Sequence, residues 1–204
     1  LSVSAYNPIT ERGRGIYYRD AIPEEVFVSV TNMTENEPIS LKLKSKATWL
    51  KLDDEEIILP KGKNKDIKLN FDIPKEPGLY STLLTGDDSS TYGTDLELPI
   101  TIINPIRFNM RNGYIYKKTD KLKPSKWNRY FFMIPPNMKQ FRVKVNVLDM
   151  VDNLGCEPTI HIINPKGREV RQTENSDEII IQEPAEGVWE AVVYCEPHLA
   201  DFGI

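Results

Sequence analysis

The sequence predicts an all-β protein of two successive domains, and three observations carry that expectation. Apolar residues recur with a period of two through most of the 204 residues, turn-forming clusters separate these runs, and no helical stripe exceeds two turns. In the first half, EEVFVSVTNM (24–33) alternates Val26, Val28 and Val30 with polar residues. ISLKLKS (39–45) alternates Ile39, Leu41 and Leu43, and DIKLNFDI (66–73) repeats the pattern with Ile67, Leu69, Phe71 and Ile73. Apolar on one face and polar on the other is the mark of half-buried antiparallel strands. The intervening turns TENEP (34–38), KGKN (61–64) and KEPG (75–78) have the spacing of a β-sandwich. LELPITII (96–103) closes the series, and its Pro99 predicts an edge strand, because proline has no N–H to donate to a ladder.

Asn104-Pro105 reads as a hinge, since a residue preceding proline is driven toward extended backbone and the strand pattern stops there. Residues 1–104 hold 12 basic and 17 acidic groups, a net of −5, whereas 105–204 hold 14 and 13, a net of +1. The expected domains are therefore 1–104 and 105–204. The second half is again β-rich: KWNRYFFMI (126–134), FRVKVNVL (141–148), TIHIINP (159–165), EIIIQ (178–182) and GVWEAVVY (187–194). Turns at Pro165-Lys166-Gly167 and Pro184 to Gly187 separate the last of these, and Trp189 alternates with Ala191 and Val193 toward a core. That order predicts a jelly-roll sandwich. Such modules return a final strand across the sheet, yet this chain closes on HLADFGI, which implies either that the strand is missing or that another segment pairs with the edge.

Composition narrows the function classes. A net charge of −4 and a pI near 5.4 argue against general polyanion binding, which needs a concentrated basic face, so no nucleic-acid partner is expected. No run of 18 apolar residues is present and no secretory leader pattern opens the chain, so no membrane partner is expected; the compartment stays open. Starting on Leu1 instead of Met, the chain reads as a piece of a longer or processed protein. Cys156 and Cys195 are too few for a disulfide scaffold or a zinc site and read as core thiols, with a bridge as the alternative in a secreted protein.

Catalytic chemistry is sparse. His161 sits within an alternating strand and reads as a structural side chain, His198 follows near the end, and neither has a nucleophile at a known motif. Asp87 with Asp88, and Asp149 with Asp152, read as solvated turn acids, because neither pair has the ligand spacing of a calcium loop. Asn32-Met33-Thr34 meets the glycosylation acceptor rule, but so short a pattern carries no weight. Tyr17, Tyr18, Tyr114, Tyr116, Trp127, Tyr130, Phe131 and Phe132 offer either core filling or a stacking platform for sugars or bases. Catalytic, cofactor-binding and metal-binding residues are expected to be none.

One stretch is specific. RGRGIYYRD (12–20) sets three arginines and two glycines beside two tyrosines, and its GRGIYYRD portion resembles the RGIYLRD-type segment of tripeptidyl peptidase II and related subtilisin-like serine peptidases, which directly follows the catalytic domain. ATWLKL (47–52), GLYSTLLTGDD (78–88) and LPITII (98–103) resemble strands of the same region. SKWNRYFFMIPPNMKQFRVKVNV (125–147) resembles the opening of its second domain, with Ile134-Pro135-Pro136-Asn137 in place of a V/I-P-E-G turn. The resemblance implies an immunoglobulin- or fibronectin-like sandwich over 1–104 and a galactose-binding-like jelly roll over 105–204. It also implies an accessory or assembly role without catalysis beside a catalytic domain in cis, in a parent peptidase that cleaves peptides and forms homo-oligomers.

Under that resemblance Arg12, Arg14, Gly15, Tyr17 and Arg19 form the domain junction. Gly13 and Gly15 allow close backbone approach or positive φ, Tyr17 or Tyr18 buries a ring, and the arginines meet acidic groups on the preceding domain. A free-standing adhesin-like or carbohydrate-binding pair of modules is the alternative.

Overall fold

The computed structural model describes residues 2–6, 15–33, 38–147, 156–173 and 177–197, and the chain divides into two compact units, Leu1–Asn104 and Pro105–Ile204. Among the described residues the regular structure is β, apart from one turn of 3-10 helix at Met110–Asn112.

The first unit is a sandwich of two sheets. One carries β1 (Ser2–Tyr6), β3 (Val26–Thr31), β7 (Asn64–Phe71) and β5 (Leu50–Leu52) in that order. The other carries β2 (Ile16–Tyr18), β9 (Leu96–Asn104), β8 (Gly78–Asp88), β4 (Ile39–Ser45) and β6 (Glu56–Leu59). Both sheets turn their apolar positions to one core: Val26, Val28, Val30, Ile67 and Leu69 from the first, Leu41, Leu43, Leu84, Leu98 and Ile100 from the second. Burial of these side chains removes their apolar surface from water, worth roughly 1.5–3 kcal/mol for each large one. A one-residue slip of any strand would turn its whole apolar set outward, so the alternation sets the register.

The second unit has a five-stranded sheet ordered β10 (Ile106–Arg107), β11 (Trp127–Ile134), β16 (Gly187–Pro197), β13 (Cys156–Ile163) and β14 (Glu169–Gln172). Across its core lies a two-stranded ribbon of β12 (Gln140–Lys144) and β15 (Glu178–Gln182). Phe132, Ile134, Ile160, Ile162, Trp189 and Ala191 face Ile179, Phe141, Val143 and Ile181 from the ribbon. The turn after β11 places Asn137 at φ 62, a left-handed backbone that asparagine tolerates. Asparagine therefore stands at the place held by glycine in the V/I-P-E-G pattern without breaking the turn.

Several expectations change here. Pro99 is not on an edge strand, since β9 lies between β2 and β8. It is tolerated because β2 pairs only with Ile100 to Ile102, so the parallel ladder starts one residue beyond the proline. Cys195 is no core thiol: it is fully buried, it is disulfide-bonded, and the only other cysteine in the sequence is Cys156. Asp88 is not a solvated acid either; it is 4% exposed. Asn32 is buried and its amide donates to the Leu59 carbonyl at 2.9 Å, which takes it out of reach as a sugar acceptor. The expectations for Asp149, Asp152, His198 and the closing HLADFGI lie outside the described residues.

Candidate functional site

Gly15 enters the first unit beneath β9. A Cβ built on it would meet the Pro99 carbonyl oxygen at 2.9 Å and the Pro99 Cγ at 3.0 Å, distances that only a hydrogen side chain tolerates. Close approach, and not positive φ, is thus the reason for glycine here. Immediately after it, β2 pairs in parallel with β9 through Ile16–Ile100, Tyr17–Thr101 and Tyr18–Ile102. Ile16 and Tyr18 share the inward face, so Tyr18 is the ring that is buried (4% exposed), while Tyr17 points outward (52% exposed). The Tyr18 ring stands edge-on to Phe71 at 6.5 Å, and burial raises its phenol pKa. Arg19 follows β2 half-buried, whereas Arg12 and Arg14 lie outside the described residues.

Gly15→Ala should destabilise the first unit by about 1–3 kcal/mol, because the added methyl must push against backbone. Chemical denaturation reads this out, and an unchanged midpoint would refute the contact.

The loop from Asp88 to Asp95 closes on itself. Asp88 accepts from the Ser90 amide and hydroxyl, both at 2.9 Å, and Asp95 accepts from the Asp88 amide and the Thr91 hydroxyl, both at 2.7 Å. One oxygen of each carboxylate is thereby committed to the turn. Among the described residues no group of three or more His, Cys, Asp or Glu is placed to hold a metal.

The outward face of the second unit's five-stranded sheet collects the remaining polar and aromatic chemistry. Trp127 lies directly across from Tyr194, and Val192 across from His161. Together with Ile163 and Glu169 they line an open depression of about 250 Å³. His161 Nδ1 lies 2.8 Å from Glu169 Oε1. A register shift brings them together: His161 opposes Gln172 and Ile162 opposes Arg171, but Ile163 opposes Glu169, which leaves Val170 as the extra, bulged residue. Without that bulge Glu169 would oppose Asn164 and face the other side of the sheet. In the same rows, Arg129 lies across from Val192 and Glu190 across from Ile163, and the two form an Arg129 Nε–Glu190 Oε1 ion pair. Sequence reading missed Glu169 because a bulge reverses the parity that period-two patterns rely on.

On the inward side, Tyr130 donates its hydroxyl to Asp120 at 2.8 Å. Burial, then the hydrogen bond to and charge of Asp120, push its pKa from 10.0 up to about 12. A raised folded pKa favours the protonated phenol, so this contribution to stability is complete below pH 10 and is lost as pH climbs from 10 toward 12. Wild type should therefore lose stability more steeply than Tyr130→Phe across that window, as measured by denaturation at each pH; parallel curves would refute it.

No protein-family model matches the chain. Over 124 residues it is 27% identical to pyrolysin of Pyrococcus furiosus, covering 60% of this chain and 9% of that protein. Its fold matches the crystal structure of tripeptidyl peptidase 2 (TPP II) with a TM-score of 0.70 and 16% identity, over 95% of this chain and 19% of that one. The chain thus spans less than a tenth of the curated relative it matches and about a fifth of the solved structure. Ile16–Tyr18 of the RGRGIYYRD segment thus form β2 against β9, in a chain similar in sequence to pyrolysin and in fold to tripeptidyl peptidase 2.

Proposed function

We propose that this chain is a non-catalytic accessory region of a subtilisin-like serine protease, attached in cis behind the catalytic domain and serving to buttress it or to assemble subunits. The observation that carries this reading is the joint likeness over the chain, in sequence to pyrolysin and in fold to tripeptidyl peptidase 2. In this reading 1–104 is the immunoglobulin-like module and 105–204 the jelly roll, and residues 12–20 are the joint. Gly15 locks the entering strand under Pro99, Tyr18 anchors it in the core, and Tyr17 with Arg12, Arg14 and Arg19 serves the preceding domain. Arginine suits that role because its rigid guanidinium pairs with carboxylates in a fixed geometry. Peptide cleavage and homo-oligomerisation belong to the parent protein.

The test uses an active-site-directed fluorophosphonate probe on the purified 204-residue chain and on the parent protease. Labelling of the parent alone is expected. Labelling of any serine in the isolated chain would overturn the accessory reading.

A further inference from the structure

We propose that the self-capped turn over residues 109–116 is a contact for an anionic lipid surface, with Met110, Tyr114, Ile115 and Tyr116 entering the headgroup region and the neighbouring basic residues pairing with lipid phosphates and carboxylates. This contact is separate from the accessory role and does not depend on it.

Positive charge is concentrated in this stretch. Residues 107–126 hold seven lysines and arginines and one acid, Asp120, a net of +6 in a chain whose total is −4, so the rest of the chain sums to −10. Asp120 is already engaged, 3.3 Å from Lys118 and accepting the Tyr130 hydroxyl. Arg111, Lys117, Lys121 and Lys123 have no carboxylate partner among the described residues, and every position from 109 to 121 is exposed. A basic cluster of this density on an otherwise acidic chain complements an anionic surface, to which each lysine or arginine within a Debye length is attracted.

Within that charge sits an apolar tip. Met110 is 83% exposed, Tyr114 and Ile115 are each 58% exposed, and Tyr116 is exposed beside them. No residue of the 3-10 turn is buried, so its order comes from internal hydrogen bonds instead of packing. The Asn109 side chain accepts from the Arg111 and Asn112 amides at 2.9 and 3.2 Å. Gly113 donates to the Met110 carbonyl at 3.1 Å, and Tyr114 and Ile115 donate to the Asn109 and Asn112 carbonyls, both at 3.0 Å. Tyr114 is held at φ 57, a left-handed backbone that bulky side chains rarely adopt and that persists only where surrounding bonds over-determine it. With these amides satisfied internally, the tip can enter a water-poor interface without stranding donors.

The same geometry separates a lipid surface from other anionic partners. An acidic peptide adding as a strand needs free amides, and those from Arg111 to Ile115 are used. Tyr114, Ile115 and Tyr116 are consecutive, so their side chains leave the backbone in different directions and one rigid partner face would cover only part of the set. A fluid interface surrounds them all, and tyrosine suits it with an apolar ring and a polar tip. Single-stranded nucleic acid would stack on the tyrosines, but Met110 and Ile115 offer no ring to a base. No helix among the described residues is long and apolar enough to cross a membrane, and a peripheral contact needs none.

The full 204-residue chain should be sedimented with vesicles of phosphatidylcholine alone and with vesicles in which about 30% of the lipid is phosphatidylserine. Binding to the anionic vesicles, none to phosphatidylcholine alone, and weakening with added salt are expected. Ile115→Asp should bind the anionic vesicles about tenfold more weakly, and the pair Arg111→Gln with Lys117→Gln about tenfold or more. All three side chains are exposed, so both variants should melt as the wild type does. Equal binding to the two vesicle types, sedimentation with neither, undiminished binding of Ile115→Asp, or capture by immobilised poly-glutamate or oligo-thymidine with the vesicles left unbound would each overturn the contact.

Discussion

Trp189→Ala should lower the stability of the second unit by about 3–5 kcal/mol, a large share of what a domain of this size possesses. Trp189 is 4% exposed on β16 and lies directly across from Phe132 of β11. Phe141 of the ribbon inserts between them edge-on, 5.1 Å from Trp189 and 5.2 Å from Phe132, and Phe108 continues the row at 6.2 Å. The rings thus bridge the five-stranded sheet and the two-stranded ribbon, which by itself would be marginal in water. Truncation would leave a cavity between the layers and orphan the Ala185 carbonyl, to which the indole Nε1 donates at 2.7 Å. Calorimetry should show the second unit's transition shifted down while the first unit's transition stays. A loss below about 1 kcal/mol would mean that the ring row does not hold the layers together. Trp127→Ala on the outward face serves as the contrast, with an expected change within about 0.5 kcal/mol.

The disulfide carries the second large effect. Cys195 is fully buried near the end of β16, and its backbone exchanges hydrogen bonds with the segment before β11, from the Ser125 amide at 2.9 Å and to the Lys126 carbonyl at 3.0 Å. Replacing it by Ser removes the cross-link and buries a hydroxyl at a site with no exposed surface, for a combined cost of about 2–5 kcal/mol. Thiol titration of the denatured, unreduced chain should find no reactive cysteine, and added reductant should lower the melting temperature of the wild type but not of Cys195→Ser. Two titratable thiols without reductant would refute the bridge.

Strands were legible wherever a single face is buried. The predicted runs 39–45 and 178–182 coincide with β4 and β15, and Trp189, Ala191 and Val193 are buried together as the alternation requires. The runs that escaped are short or irregular. β6 has only four residues, and β14 has four exposed positions, so neither produces a periodic signal. Of the candidate aromatics, Tyr18, Phe131 and Phe132 are buried while Tyr17, Tyr114, Tyr116 and Trp127 are exposed; adjacent aromatics such as Tyr17 and Tyr18 are separated by which face a strand turns inward, and a three-residue strand has too few positions to announce that.

Local covalent chemistry and side-chain periodicity were enough to determine the all-β class and most strand positions, because these depend on neighbours one or two positions apart in the chain. What only the tertiary structure decided involves residues far apart in sequence. Gly15 needs to be glycine because of Pro99, Glu169 reaches His161 because a bulge reverses strand parity, and Cys195 is cross-linked. Each of these is set by steric contact or by ladder register between strands, and neither quantity is written in the local order of polar and apolar residues.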